Sequence, residues 1–320
     1  MRLFAALAAV IFTLSPAAAR APAPRQHLSF DSGWKFFPGD PANAQSPAFD
    51  DAAWRSVTLP HDWSIEGQPA PKNPSGGAEG FFPTGVGWYR RGFDSPQDWS
   101  GQRVTVEFEG VYMNATVWLN GQKLGTHPYG YTSFFYDLTP YLKPGARNVL
   151  AVRVDDSKQQ TSRWYAGSGI YRHVWVTVTG AVHVAQWGVF ATNPEVSAAR
   201  AKVVLCAQVE GAGAAQGATG APQEIAVTNP VLWSPNTPKL YRAVTRVLFA
   251  RKVVDEVETP FGIRSLAWSA EKGLLLNGKP VKMVGGSVHH DNGVLGAAAF
   301  DRWERAKKPF DYHLYFKDWW

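Results

Sequence analysis

Residues 103–121 read RVTVEFEGVYMNATVWLNG. Val104, Val106 and Phe108 alternate with polar neighbours, the period of a strand that buries one face. Val117-Trp118-Leu119 then runs into Asn120-Gly121, two residues that tolerate the positive φ of a tight hairpin turn. The same alternation recurs at Leu150, Val152 and Val154, and again at Val174, Val176 and Val178. No helical period of comparable strength interrupts Phe30–Thr179. Residues 28–180 therefore predict an antiparallel β-sandwich of ordinary domain size.

Downstream, residues 181–266 predict a second all-β domain. Ala201–Val209 and Ala243–Phe249 are strand-like, and between them Gly211–Pro222 is a Gly/Ala/Gln-rich loop with nothing to bury. Four or five strands are legible where an immunoglobulin-like sandwich needs about seven, so this domain is expected to be incomplete. A third region spans 267–300. There Asn277-Gly278 predicts a hairpin leading into a short buried strand at Pro280–Gly286, and Ala297–Lys308 predicts one helix ended by Pro309. Residues 301–320 form a divergent tail, aromatic-rich over Phe310–Trp320, whose exposed rings would favour self-association.

The N-terminus carries Arg2, an apolar run from Leu3 to Leu14, and Ala17-Ala18-Ala19. This is the layout of a cleaved secretory signal at 1–19, which implies a secreted or periplasmic protein. The run is short for a bilayer span, and no later stretch is long enough. Residues 20–27, rich in Pro and Ala, predict a flexible lead-in. A single cysteine, Cys206, excludes an intrachain disulfide and a CxxC metal site. The formal charge of +6 is scattered rather than striped, which argues against a nucleic-acid partner. Fourteen tryptophans suit a sandwich core, and flat rings also suit stacking on sugars.

Several segments, in order, resemble glycoside hydrolase family 2. They are Phe30–Phe36 (FDSGWKF), Phe49–Trp54 (FDDAAW), Leu59–Trp63 (LPHDW), Gly87–Arg91 (GWYRR), Val117–Gly121 (VWLNG), Tyr136–Leu142 (YDLTPYL) and Ser168–Arg172 (SGIYR). Later, Leu232–Tyr241, Thr259–Arg264, Leu276–Pro280 and Gly285–Asp291 resemble the end of the family's second domain and the entry to its third. The resemblance implies a jelly-roll sugar-binding sandwich, an immunoglobulin-like sandwich and the start of a (β/α)₈ barrel, and it favours the β-galactosidase branch. The match departs between Gln208 and Ile225, where two or three strands are wanting, and is lost after Phe300.

The family's reaction needs two carboxylates about 5–5.5 Å apart, an acid/base and a nucleophile. Both are glutamates on later barrel strands, the acid/base within an Asn-Glu pair, and this sequence has no Asn-Glu dipeptide. Neither catalytic glutamate carries over, so no catalytic residue is assigned. The resemblance places His289 at the end of the first barrel strand, facing the sugar. An ordinary loop histidine is the plainer reading, and a His289-His290-Asp291 metal site is disfavoured because adjacent strand residues point to opposite faces. By the same resemblance Arg163, Trp164 and Tyr165 line the sugar subsite, the alternative being a solvated loop with Trp164 tucked inward. Asn114-Ala115-Thr116 fits a glycosylation acceptor but falls in a strand region. No cofactor or metal is implied. The expected partner is a carbohydrate, a β-galactoside or related oligosaccharide. The chain is read as a glycosidase by descent that is inactive alone; the alternatives are a non-catalytic carbohydrate-binding module and a fragment that complements a separate barrel.

Overall fold

The structure is a computed structural model that describes residues 9–14, 25–77, 80–158, 164–211, 218–219, 221–249, 251–282, 292–302 and 304–305. Arg163, His289 and the 310–320 tail lie outside the described residues. Strand β1 is Ala9–Leu14. The first domain holds β2 (Gln26–Ser29), β3 (Trp34–Pro38), β4 (Arg55–Val57), β5 (Val86–Asp94), β6 (Arg103–Phe108), β7 (Ala115–Leu119), β8 (Gln122–His127), β9 (Phe134–Asp137), β10 (Arg147–Asp155) and β11 (Val174–Thr179). The second holds β12 (His183–Val196), β13 (Arg200–Glu210), β14 (Ala218–Thr219), β15 (Gln223–Thr228), β16 (Tyr241–Phe249) and β17 (Lys252–Phe261). A short meander follows, β18 (Leu266–Ser269), β19 (Gly273–Leu276) and β20 (Lys279–Pro280).

The chain divides into two compact units, one built on residues 27–178 with 287–320, the other on 1–26 with 179–286. In the first unit a six-stranded sheet, β4-β3-β5-β10-β7-β8, faces a four-stranded sheet, β2-β11-β6-β9. This is the expected jelly-roll sandwich. Period-2 alternation produces its core: Val104, Val106, Phe108, Val117, Leu119, Leu150, Val152 and Val154 are all fully buried. Asn120 and Gly121, at φ of 52° and 83°, make the predicted turn between β7 and β8.

The outer face of the six-stranded sheet is covered by residues 40–54, and one buried cation holds that cover down. Arg90 donates to Asp51 Oδ2 at 2.7 Å, to the Ser46 carbonyl at 3.0 Å and to the carbonyls of Ala44 and Phe49. The Phe49–Trp54 and Gly87–Arg91 segments are therefore two halves of one contact. Trp54 and Trp88 are buried beneath it, and Trp88 stacks on Trp118 at 5.1 Å.

The second unit is the immunoglobulin-like sandwich. Strand β13 lies between β12 on one side and β14 and β15 on the other, and buries every second residue from Ala201 to Val209. Opposite stands β1-β16-β17. The strand supply differs from expectation, because the N-terminal apolar run contributes β1, paired antiparallel with β16 from Ala9↔Leu248 to Leu14↔Ala243. Of the lead-in, residues 25–27 are described. Arg25 grips the fully buried Asp255 through Nε (3.0 Å) and Nη2 (2.6 Å), and Gln26 already belongs to β2.

The meander makes the predicted turn at Asn277-Gly278, with φ of 52° and 76°. Strand β20 stops at Pro280; the rest of the expected Pro280–Gly286 strand lies largely outside the described residues. The expected 297–308 helix starts later. Helical geometry begins at Asp301, where the Glu304 amide reaches the Phe300 carbonyl at 2.9 Å. The Ala297 and Ala299 amides are bound by Asp62 and the Tyr171 carbonyl and the Ala298 amide closes a turn on Leu295, so residues 297–299 stay non-helical.

Candidate functional site

The site is assembled from three separated segments of the first unit. Leu59–Trp63 follows β4 and runs beside Ser168–Ile170: the His61 amide reaches the Ile170 carbonyl at 2.8 Å, and the Trp63 amide reaches the Ser168 carbonyl at 3.1 Å. Gly169 exchanges two backbone hydrogen bonds with Tyr112, both 2.9 Å. The third segment is Asn292–Ala299.

Asp62 joins all three. It is buried and accepts four hydrogen bonds, from the Ser64 amide (3.0 Å), the Ser168 amide (2.9 Å), the Tyr165 hydroxyl (2.7 Å) and the Ala297 amide (2.8 Å). Gly167 and Gly296, at φ of 71° and 57°, let the backbone pass so close that a Cβ on either would collide with Asp62 Oδ2. Burial raises the Asp62 carboxyl above its ordinary value, and the four donors oppose that shift. Ser168 continues the network, its hydroxyl donating to the buried Asp156 and lying 2.5 Å from Ser64 Oγ. A second tie lies alongside. The Ala299 amide reaches the Tyr171 carbonyl at 2.9 Å, and Arg172, paired with Glu109 at 2.7 Å, reaches the Ala299 carbonyl at 3.4 Å. The Ser168–Arg172 motif thus fastens the 292–299 segment to the sandwich.

His61, next in chain, is also buried. Its Nδ1 lies 2.7 Å from the Tyr89 hydroxyl and its Nε2 faces Arg55 and Glu66, which pair with one another. Burial lowers the His61 pKa, with Glu66 opposing. This group is a structural bond, not an exposed acid or base.

Of the sequence-predicted residues, the structure brings Trp164 and Tyr165 to this site. Tyr165 points inward: its hydroxyl is committed to Asp62 and its ring meets Phe82 edge-on at 5.3 Å. Trp164 is half-buried, and its indole N–H donates to the Tyr131 hydroxyl at 3.2 Å. Tyr131 and Tyr129 come from the β8–β9 loop, are 43% and 55% exposed, and meet edge-to-face at 5.7 Å. Sequence reasoning missed both; the signal was Tyr129-Gly130-Tyr131, two aromatics in a turn where nothing requires burial. Behind them Tyr112 packs on Tyr131 at 5.3 Å, and the Tyr171 hydroxyl donates to the Gly130 carbonyl at 2.8 Å. Burial pushes that hydroxyl up to about 12, with Tyr131 adding to the shift. Asn114 is spoken for, its side-chain amide donating to the Asp155 carbonyl at 2.9 Å, which weighs against glycan attachment there.

Comparison with known proteins agrees with this architecture. Residues 29–179 match the profile "Glycosyl hydrolases family 2, sugar binding domain", and residues 176–264 match "Glycosyl hydrolases family 2". A β-galactosidase of Bacteroides ovatus is 38% identical over 92% of this chain, which spans 44% of that protein. A putative β-glucuronidase of Formosa agariphila is 34% identical over 91% of the chain and 30% of its own length. Among solved structures, a glycosyl hydrolase family 2 member from Bacteroides cellulosilyticus superimposes with a TM-score of 0.83 at 38% identity, covering 88% of this chain and 41% of that one. A β-glycosidase from Bacteroides vulgatus gives 0.82 at 36% identity, covering 89% and 40%. The chain thus spans less than half the length of these relatives. Two domain profiles in sequence, relatives near 38% identity and a matching sandwich pair make this chain a member of glycoside hydrolase family 2.

Proposed function

We propose that the chain is the sugar-binding, non-catalytic part of a β-galactosidase-like glycosidase, exported by its N-terminal signal. The observation that carries this reading is the Asp62-held loop, which fixes Tyr165 inward and sets Trp164 at the surface beside Tyr131. In such a site Trp164 forms one wall for a sugar ring, with Arg163 and His289 supplying polar contacts. Turnover needs a proton donor and a nucleophile flanking the scissile bond. The sequence lacks an Asn-Glu pair, so the chain is read as binding without hydrolysing. The galactosidase reading draws on the Bacteroides ovatus relative; the Formosa relative keeps a glucuronide as the competing substrate.

The test is calorimetric titration of the purified chain with methyl β-galactoside and methyl β-glucuronide, alongside an aryl β-galactoside assay over hours. Galactoside binding that Trp164→Ala abolishes, without turnover, is the expected result. Turnover that persists through purification and vanishes with His289→Ala would overturn the non-catalytic reading. Release of product only on mixing with a separately made barrel would favour a complementing fragment.

A further inference from the structure

The aromatic surface does not end at Trp164. Trp164, Tyr131 and Tyr129 form a row, joined by the 3.2 Å indole–hydroxyl hydrogen bond and the 5.7 Å ring contact. The two tyrosines are about half exposed, yet their loop is held firmly. Tyr112 backs Tyr131, the Tyr171 hydroxyl fixes the Gly130 carbonyl, and the Ser133 hydroxyl fixes the Glu109 carbonyl at 3.0 Å. His127 at the loop's start stacks on Phe134 at 4.4 Å and lies 3.0 Å from the Thr132 hydroxyl. Rings held in place before a ligand arrives lose little freedom on binding, which is what makes aromatic platforms effective.

The chemistry of the row narrows its occupant. Flat apolar faces edged by hydroxyl and indole groups match a pyranose, which has an apolar face and a rim of hydroxyls. Among the described residues, the row's own polar groups are the Tyr129 and Tyr131 hydroxyls and the Trp164 indole N–H, all neutral, which suits a neutral sugar. Its length exceeds one ring: Trp164 already faces the terminal sugar in the reading above, and Tyr131 and Tyr129 continue beyond it.

We propose that Tyr129 and Tyr131 extend the Trp164 face into a stacking subsite for a neutral oligosaccharide of at least two sugar units. This rests on the reading that the Trp164 loop meets sugar, and the test separates the two.

The full chain is titrated with methyl β-galactoside and with a neutral β-linked galactotetraose. The tetraose is expected to bind about tenfold more tightly. Tyr129→Ala should erase much of that advantage while leaving the monosaccharide affinity and the melting temperature unchanged, Tyr129→Phe should retain it, and Tyr131→Phe, which keeps the ring, should bind the tetraose more tightly than Tyr131→Ala does. Equal affinities for the two sugars, or alanine variants that bind the tetraose like wild type, would overturn the subsite while a Trp164→Ala loss kept the loop reading alive. Tighter binding of an oligogalacturonide than of the neutral tetraose would overturn the neutral assignment. Failure of the wild-type chain to bind either galactoside would bring down both readings.

Discussion

At the scale of single residues, neighbours in the chain set opposite demands on pH. The His61 pKa is lowered below 6.5 in the folded chain, so the unfolded chain binds the proton more readily. That stabilising share is complete above pH 6.5 and is lost as pH falls below it. The His183 pKa is lowered by burial too and adds to the same acid loss. The Asp62 pKa is raised above 3.8, so in the window above that value stability falls as pH rises. Thermal melts from pH 4 to 8 should show His61→Gln flattening the loss below pH 6.5, and Asp62→Asn removing the opposing slope at the lower end. An unchanged profile in either variant would contradict its assigned share. Asp62→Asn should also cost about 1–3 kcal/mol at pH 7, because an amide cannot accept from all four donors. Asp62 itself was visible in the Leu59–Trp63 motif. Its role was not, since its partner Ala297 lies 235 residues away and no local pattern announces that pairing.

Among the elements, those that sequence made legible were the ones governed by short periods. Alternation gave β6, β10 and β11, and Asn-Gly gave the β7–β8 and β19 turns, because each depends only on nearby residues. Elements governed by distant partners were not legible. Helical geometry begins at Asp301 rather than Ala297 because Asp62 and Tyr171 capture the preceding amides. Strand β1 was not legible as a strand, because its partner β16 lies more than 200 residues away and an apolar run of this kind equally fits an export signal. The sandwich elements permit firm expectations. Leu150→Ala, at a fully buried position of β10, should destabilise by about 2–5 kcal/mol in denaturant unfolding. Arg90→Met should cost about 3 kcal/mol, since it strands the carbonyls and carboxylate that hold residues 40–54 on the sheet. It should also expose Trp54 and Trp88 to a fluorescence quencher; an unquenched, wild-type signal would show that the cover is held by other means.

For the whole molecule, two units with separate cores predict two separable responses. Limited proteolysis should cut first in the Gly/Ala-rich connection after Gly211 and leave the 27–178 sandwich intact; its early loss would contradict the independence of that core. The order of synthesis adds a constraint that space alone hides. Ala297 leaves the ribosome 235 residues after Asp62, a lag of roughly 10–50 s at ordinary rates of translation. Through that interval the sandwich can complete its strands, but Asp62 lacks its last donor and the loop bearing Trp164 is held by fewer bonds. The surface proposed to face the sugar therefore matures after the domain that carries it. A released chain ending at residue 286 should show a folded sandwich with faster amide exchange at Ser168, and one extended past residue 299 should exchange more slowly there.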